Sequence, residues 1–500
     1  MTATPGAALR PSDPSPRRLA DLLVALPELQ RHGPTGDVTD VAVTGCTHDS
    51  RAVLPGDLYA ALPGAHAHGA DFAEAALAAG AVAVLTDVAG AARFPGLPVV
   101  VAEEPRVVLG QVARWVHGDP AAGLLLLGVT GTNGKTTTAF LLEAGLRAAG
   151  HRTALLGTVL TRIGDDVLPA VRTTPEATDL QAMFAVMRER GVTAVAMEVS
   201  SQALAVGRVN GVLYDVAAFT NLSRDHEELH PTMADYEAAK AQLFTPEHSR
   251  RAVVNCDDAA GRRIVHTSVV PLTTYGEDAD WTARNVDLRG DGSSFRLVGP
   301  DVDVRVSLQL PGAFNVENAV CAIATLVTAG IPVEAAVAGV AALPGVPGRM
   351  ERIDAGQPFL AVVDYAHTPD AVATLLAAVR AVTTGRVLVV LGCGGDRDRT
   401  KRPMMAAAAA AGADVAFLTS DNPRSEDPLA ILAEMSAGAP SATVEPDRRT
   451  AIELAVRHAE PGDTVVVAGK GHETGQDVNG VVSPFDDRVV LREAVLACWS

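Results

Sequence analysis

The sequence predicts an α/β protein of three domains: a small N-terminal α/β unit, a central parallel sheet of the P-loop type and a C-terminal doubly wound, Rossmann-like domain. Three observations carry that prediction. Unbroken apolar runs alternate with helical stretches, the signature of parallel strands covered on both faces. Two Pro/Gly-rich junctions, "HGDPAAG" (117–123) and "LPGVPGRMERI" (343–353), divide the chain. One apolar run leads straight into a glycine loop and then a helix. With 500 residues the chain exceeds a single core, since domains run to roughly 100–200 residues.

In chain order, residues 1–17 read as a loose tail, because prolines interrupt any apolar pattern. The N-terminal domain, 18–122, holds "DLYAAL", "AVAVLT" and "LPVVVA" as short strands and "DFAEAALAAG" as a helix. The central domain, 123–346, opens with the strand "LLLLGVT" and a helix "TTTAFLLEAGLRAAG" ending at Gly150. "VTAVAMEVS" is a second buried strand, 287–310 an antiparallel meander with a glycine turn, and "NVENAVCAIATLVTAG" a helix. The C-terminal domain, 347–500, has four apolar strands, "FLAVVDYA", "RVLVVLGCG", "ADVAFLTSD" and "DTVVVAGKG", separated by helical stretches.

Composition excludes several classes. A net charge of -18 argues against nucleic acid, which needs a basic face, but leaves room for small anions met by local Arg and Lys. Five scattered cysteines without a C-x-x-C pair suggest reduced thiols rather than a disulfide frame or zinc. No apolar stretch approaches the ~20 residues of a membrane helix, and prolines occupy the place of a signal peptide's apolar region. A cytoplasmic monomer is expected, with no membrane insertion.

"LLLLGVTGTNGKTTTAF" carries the strongest chemistry. Glycines let backbone N–H groups close around phosphate oxygens, and the helix start adds its positive dipole end. Lys135 suits the β- and γ-phosphates of a nucleotide, and the Thr136 hydroxyl suits Mg²⁺. The general P-loop pattern wants glycine where Val129 stands. Glu198, closing a strand, Asp225 and His226 in a polar loop, and Lys240 on a helix could complete a metal site. Each also has a plain structural reading: a cap, a solvated loop histidine, a surface pair of Lys240 with Glu237.

"GVTGTNGKTTT", "RTTPE", "MEVSSQAL", "TNLSRDH", "YEAAK", "GAFNVENAV", "PGRME", "DYAHTPD", "LGCGGDRDRTKRP", "DNPR" and "AGKGHE" follow one another in this order. Together they resemble the Mur ligases of peptidoglycan synthesis. "GTNGKT" alone marks the wider amide-ligase family, folylpolyglutamate synthases included, whereas "DNPR" with "AGKGHE" resembles the branch that adds diaminopimelate. The resemblance implies a UDP-sugar domain, a central ATPase and an amino-acid domain. It implies activation of the D-glutamate carboxylate of UDP-N-acetylmuramoyl-L-alanyl-D-glutamate by ATP, as an acyl phosphate, before an amine attacks.

The same resemblance implies the site residues. Gly131, Thr132, Asn133, Gly134, Lys135, Thr136 and Thr137 would hold ATP, with Asn315, Asn318, Arg349 and Asp364. Thr136, Glu198, His226 and Lys240, the last as a carbamate, would associate with Mg²⁺, and Lys135, His226 and Lys240 would serve catalysis. His48, Ser50, Ala65, His66, Ala67, Thr173, Thr174, Ser200 and Arg208 would contact the UDP-muramoyl-dipeptide. Val206 and Gln202 depart from the family pattern, which commonly has glutamine and histidine there.

Diaminopimelate differs from lysine by a distal carboxylate and ammonium head. Arg424, in the stiff turn "TSDNPRSEDP", suits a bidentate pair with that carboxylate, and would be left unpaired by lysine. Its plain alternative is a surface pair with Glu426 or Asp427. Pro423 restrains the turn, Asp421 and Asn422 serve its backbone or the ammonium, and Arg397, Gly469 and Glu473 match the remaining family contacts. Rival readings are addition of L-lysine, another ligase of this type, or a dinucleotide module at "VVLGCGGDRDR" with Asp414. The glycine spacing of that stretch does not fit G-x-G-x-x-G.

Overall fold

The computed structural model describes residues 9–32, 41–94, 98–225 and 229–499. Its central sheet has eight strands in the order Asp166–Leu168, Thr161–Ile163, Thr153–Leu156, Ala194–Glu198, Leu125–Thr130, Val216–Phe219, Ala252–Asn255 and Leu272–Tyr275. From Thr153–Leu156 onward neighbouring strands are parallel; the first two add an antiparallel edge. Alternate residues explain why these strands are apolar throughout. Leu127, Val129, Ala196 and Ala218 enter one core with the helices Lys135–Ala148 and Ala313–Thr328. Leu126, Val195, Met197 and Phe219 enter another on the opposite face. Each fully buried Val or Leu contributes roughly 1.5–3 kcal/mol, so a polar residue on either face would be costly.

The C-terminal sheet repeats this logic in the order Glu351–Arg352, Leu360–Asp364, Thr464–Ala468, Val387–Cys393, Val415–Ser420 and Thr443–Val444. Val362, Leu391 and Val466 face one core, while Val363, Val390 and Val467 face the other. The N-terminal sheet has five strands: Gln30–His32, Val99–Val101, Ala83–Thr86, Asp57–Ala60 and Gly45–Thr47. The expected meander is a three-stranded antiparallel sheet beginning earlier than read, at Thr282, because a bulge between Arg284 and Asp287 places Asn285 at φ 52°. The helix expected to end at Gly150 is Lys135–Ala148, and Gly150 closes it at φ 87°.

The described part of the expected tail corrects that reading. Arg10 reaches into the N-terminal domain, donating to the Asp57 Oδ2 carboxylate at 2.8 Å and to the Ala52 carbonyl at 3.2 Å. Ser12 N donates to Glu189 of the central domain at 3.0 Å. A single arginine finding a buried carboxylate anchors a segment that proline content alone marked as loose. Among the described residues no helix is long and apolar enough to cross a membrane.

Candidate functional site

Two chambers open at the carboxyl ends of the central and C-terminal sheets. The first lies over the glycine loop. It is lined by residues 132–137, by Glu198, Lys240 and Asn318 of the central domain, and by Arg349 and residues 364–367 from across the junction. The loop turns because Gly131 and Gly134 sit at φ 150° and 86°, and a Cβ on Gly134 would stand 2.4 Å from Asn318 Oδ1.

Its cations are turned inward. Lys135 Nζ donates to the carbonyls of Gly131 and Thr132, both at 2.8 Å. Lys240, wholly buried, donates to the same Gly131 carbonyl at 2.8 Å and lies over the Tyr236 ring at 4.4 Å. Burial, then the charge of Lys135, drives the Lys240 pKa well below that of an ordinary lysine. Burial lowers Lys135 too, opposed by Glu198. The plain alternative, a surface pair of Lys240 with Glu237, does not form among the described residues, and Glu237 instead meets Arg263 at 2.5 Å.

Thr136 Oγ1 donates to Glu198 Oε2 at 3.0 Å and accepts from Arg349 Nη2 at 3.2 Å. Two hard oxygen donors thus converge at the loop mouth, a set that fits a divalent cation completing its shell with phosphate and water. His226 lies outside the described residues. Asn318 lines the chamber, whereas Asn315 stands behind it, accepting from Asn318 Nδ2 at 3.2 Å. Asp364 accepts from the backbone of Met350 and Ala366, both at 2.7 Å; burial raises its pKa and Arg349 opposes. Phe314, Ala371 and Leu375 supply an apolar wall that the sequence reading missed.

Of the residues expected to meet the muramoyl peptide, Thr173 and Ser200 line the same chamber, and Thr174 Oγ1 donates to the Glu198 carbonyl at 3.0 Å. Arg208 is not directed outward; it is buried against Glu176 at 2.8 Å. His48 contacts Thr178 across the domain junction at 3.1 Å, and Ser50 follows it in the turn after the strand Gly45–Thr47. Ala65, His66 and Ala67 form an exposed loop closed by Gly64 N to the Ala67 carbonyl at 3.1 Å. These N-terminal residues are not brought into the two chambers.

The second chamber is lined by Arg397, Asp421, Asn422, Arg424, Gly469 and Glu473, with Gln202 from the central domain. Only Pro423 of the expected set is turned away, into the packing against Gly395. Arg424 sits at φ 52°, clamped by its N–H to the Asp477 carbonyl at 3.0 Å and by Asn479 N to its own carbonyl at 2.7 Å. Its guanidinium donates to the Gly395 carbonyl at 2.6 Å and forms no carboxylate pair among the described residues. The surface alternative fails, because Glu426 holds Arg402 at 2.7 Å and Asp427 caps the helix Pro428–Ser436.

Beneath this turn Lys470 is buried, donating to Asn422 Oδ1 at 3.0 Å and Glu473 Oε2 at 3.1 Å. Asn422 Nδ2 also donates to Glu473 at 2.7 Å. The sequence reading missed Lys470, Lys401, Tyr365 and His367. A signal existed for the first two: of 41 Lys and Arg residues only Lys135, Lys240, Lys401 and Lys470 are lysine, and every one lies in or beneath a chamber. Asp225, Tyr365 and His367 line both chambers, which therefore share a wall.

Family models match three stretches: "Mur ligase family, catalytic domain" over residues 42–117, "Mur ligase middle domain" over 129–326 and "Mur ligase, glutamate ligase domain" over 348–471. The chain is 57% identical to the UDP-N-acetylmuramoyl-L-alanyl-D-glutamate–2,6-diaminopimelate ligase of Streptomyces avermitilis, covering 96% of this chain and 98% of that one. It is 58% identical to the Streptomyces coelicolor protein of the same name, over 91% and 92% of the two chains. A solved structure of a ligase with that name is similar at 36% identity and a TM-score of 0.67, covering 93% of this chain and 97% of that one.

Proposed function

This chain belongs to the Mur ligase family, and from that premise we propose that it adds diaminopimelate to the D-glutamate of UDP-N-acetylmuramoyl-L-alanyl-D-glutamate, in the assembly of a cytoplasmic peptidoglycan precursor. It is an ATP-dependent acid–amino-acid ligase. The observation that carries this reading is the shared wall. A phosphate-binding chamber and a chamber with both carboxylate- and ammonium-binding groups meet at Asp225, Tyr365 and His367. An acyl group activated in one is thereby presented to an amine held in the other.

A carboxylate oxygen is a very poor leaving group, so the glutamate side chain must first be activated. Its oxygen attacks the γ-phosphorus of ATP, the Pγ–O bond to ADP breaks, and an acyl phosphate results. Lys135, released from its loop carbonyls, and the N–H groups of residues 134–137 at the helix start spread the developing charge, and Arg349 adds a guanidinium from the C-terminal domain. Mg²⁺, held at Thr136 and Glu198, would shield the carboxylate from the triphosphate it approaches. The amine nitrogen then bonds to the acyl carbon, the C–O bond to phosphate breaks, and the nitrogen gives up a proton. Alignment supplies much of the rate, since both reactants are held.

Lys240 is read as a carbamate. Its lowered pKa favours the uncharged amine, the form that combines with CO₂ and releases a proton to water, and the resulting carbamate is an anion suited to a hard metal. Thr173, Thr174 and Ser200 are suited to the muramoyl peptide, and His48, Ser50 and residues 65–67 to the uridine nucleotide after the domains close. Arg424, without a carboxylate of its own, favours diaminopimelate over lysine. The test is the mass of the product formed from the UDP-dipeptide, ATP and each of diaminopimelate, L-lysine, glutamate and D-alanyl-D-alanine. Product with diaminopimelate is expected; equal or greater yield with lysine would overturn the assignment.

A further inference from the structure

The residues around Arg424 account for one end of a two-headed amino acid. Arg424 offers a cation to the distal carboxylate, while the carboxylates of Asp421 and Glu473, the latter braced by Asn422 and Lys470, offer acceptors to the distal ammonium. The proximal head, whose amine must reach the acyl carbon, needs the same pair of provisions nearer the shared wall.

Two residues there have no assigned task. His367 lines both chambers, and its Nδ1 lies 2.9 Å from the Tyr365 carbonyl. That contact fixes the proton on Nδ1 and leaves Nε2 as an acceptor, with no hydrogen-bond partner of its own among the described residues. Burial, with Lys401 and Arg349 adding to it against the pull of Asp225, brings the His367 pKa down to about 4, so the ring stays neutral and does not repel an amine. Lys401 begins the helix Lys401–Gly412 and lines the amino-acid chamber beside Cys393 and Met405.

Composition supplies an independent argument. The chain uses arginine for the cation of its surface ion pairs and keeps only four lysines. Lys135 and Lys240 serve the glycine loop, and Lys470 lies wholly buried under the 421–424 turn. A half-exposed solvated position would carry arginine here, as the others do. A lysine at 401 instead offers a compact ammonium that meets one carboxylate oxygen and leaves space for the amine's approach.

We propose that His367 and Lys401 form a subsite for the proximal head of the incoming amino acid, Lys401 binding its α-carboxylate and His367 Nε2 accepting a hydrogen bond from the α-amine. That bond turns the nitrogen lone pair toward the acyl carbon across the shared wall. Asp225, on the same wall, adds a negative charge toward the amine. The inference rests on the proposed reading of the second chamber as the amino-acid site.

The test compares K401A, K401R, H367N and R424A with the wild type, using diaminopimelate and L-lysine as alternative amines. Acyl-phosphate formation is followed separately, by positional isotope exchange in ¹⁸O-labelled ATP with the UDP-dipeptide and no amine. K401A should raise KM about 10- to 100-fold for both amines by a similar factor, leaving the preference for diaminopimelate intact, whereas R424A should collapse that preference. H367N should lower kcat for amide formation about 10- to 100-fold while isotope exchange continues. K401R, which keeps the charge, should recover part of the loss and serves as the probe if K401A disturbs folding. Unchanged KM in K401A and K401R, a change of preference in K401A, or equal loss of isotope exchange in H367N would overturn the subsite. A wild-type enzyme that formed no product with diaminopimelate would sink the functional reading and this inference with it.

Discussion

The chamber over the glycine loop and the chamber around Arg424, proposed to take the nucleotide and the amino acid, are built in opposite ways. In the first, one continuous stretch, residues 131–137, supplies most of the chemistry, and its cations rest on the loop's own carbonyls: Lys135 and Lys240 share that of Gly131. In the second, four separate segments of the C-terminal domain, around residues 365–367, 392–405, 421–424 and 469–473, supply most of the lining, and Gln202, Asp225 and Leu229 of the central domain complete it. Its groups are held by charges sunk beneath it, Lys470 under Asn422 and Glu473, and Arg448 under the strand ends. A site on one loop exchanges internal partners for substrate when substrate arrives. A site gathered from many segments has to be set in place by the fold beforehand.

The largest effect should fall on the loop. Lys135→Ala removes the cation proposed to face the transferred phosphoryl group and should lower kcat by about 10³-fold or more, with the melting temperature little changed. A variant keeping near wild-type turnover would show that the loop works through its backbone alone, and would remove the contrast between the chambers on the catalytic side.

The converse should hold for the amino-acid side. Arg448 and Asp487 are wholly buried and paired at 2.7 Å, and Arg448 also donates to the Ala468 carbonyl at 2.9 Å and the Ser420 carbonyl at 3.3 Å. Those carbonyls end the strands from which Gly469 and Asp421 project. Arg448→Ala leaves a buried carboxylate unpaired and should cost about 3–5 kcal/mol of stability, read by denaturant unfolding. At temperatures where the variant stays folded, KM for the amino acid should rise before isotope exchange in ATP is affected. Equal damage to both activities would show that the chambers are not built independently.

Next in size is specificity. Arg424→Ala should cost about 10²-fold in kcat/KM for diaminopimelate and little for L-lysine, measured by phosphate release with each amine. Losses of equal size for both amines would mean that the turn supports the chamber's shape without reading the distal carboxylate.

The same contrast decides what the sequence made legible. The sheets could be read because each central strand buries alternate residues in two different cores, so Leu126 and Leu127 are both required to be apolar. The glycine loop could be read because its chemistry is local. The anchoring of Arg10 on Asp57 spans 47 residues and leaves no local trace. Arg208 looked like a ligand in its motif, yet its partner Glu176 lies on another segment, and only packing brings them together. His367 and Lys401 belong to a wall between domains, which no single motif describes. Lysine scarcity was visible throughout, but it acquires meaning only when all four positions prove to be at the chambers.

The smallest effect concerns acid, and it separates the regions by sign. Arg402 holds Glu426 at 2.7 Å, and Glu426 in turn accepts from the Asp396 backbone at 2.6 Å, tying the loop before Arg397 to the turn that carries Arg424. The Arg402 hydrogen bond leads in bringing the Glu426 pKa down to about 2 from its ordinary 4.5. The folded state therefore binds this proton more weakly than the unfolded chain, so the brace is complete above about 4.5 and is lost as pH falls toward 2. Asp364, at the nucleotide chamber, is shifted the other way by burial, so the folded state takes up its proton more readily and acid does not weaken the fold through that group. Glu426→Gln should thus lose about 1 kcal/mol at pH 7 and become less sensitive than wild type to a fall from pH 7 to pH 3. Asp364→Asn should show no such gain in acid tolerance. Parallel melting curves for both variants at the two pH values measure the difference; if Glu426→Gln kept the full acid sensitivity of the wild type, the brace would not lie in the amino-acid chamber's rim but elsewhere in the C-terminal domain.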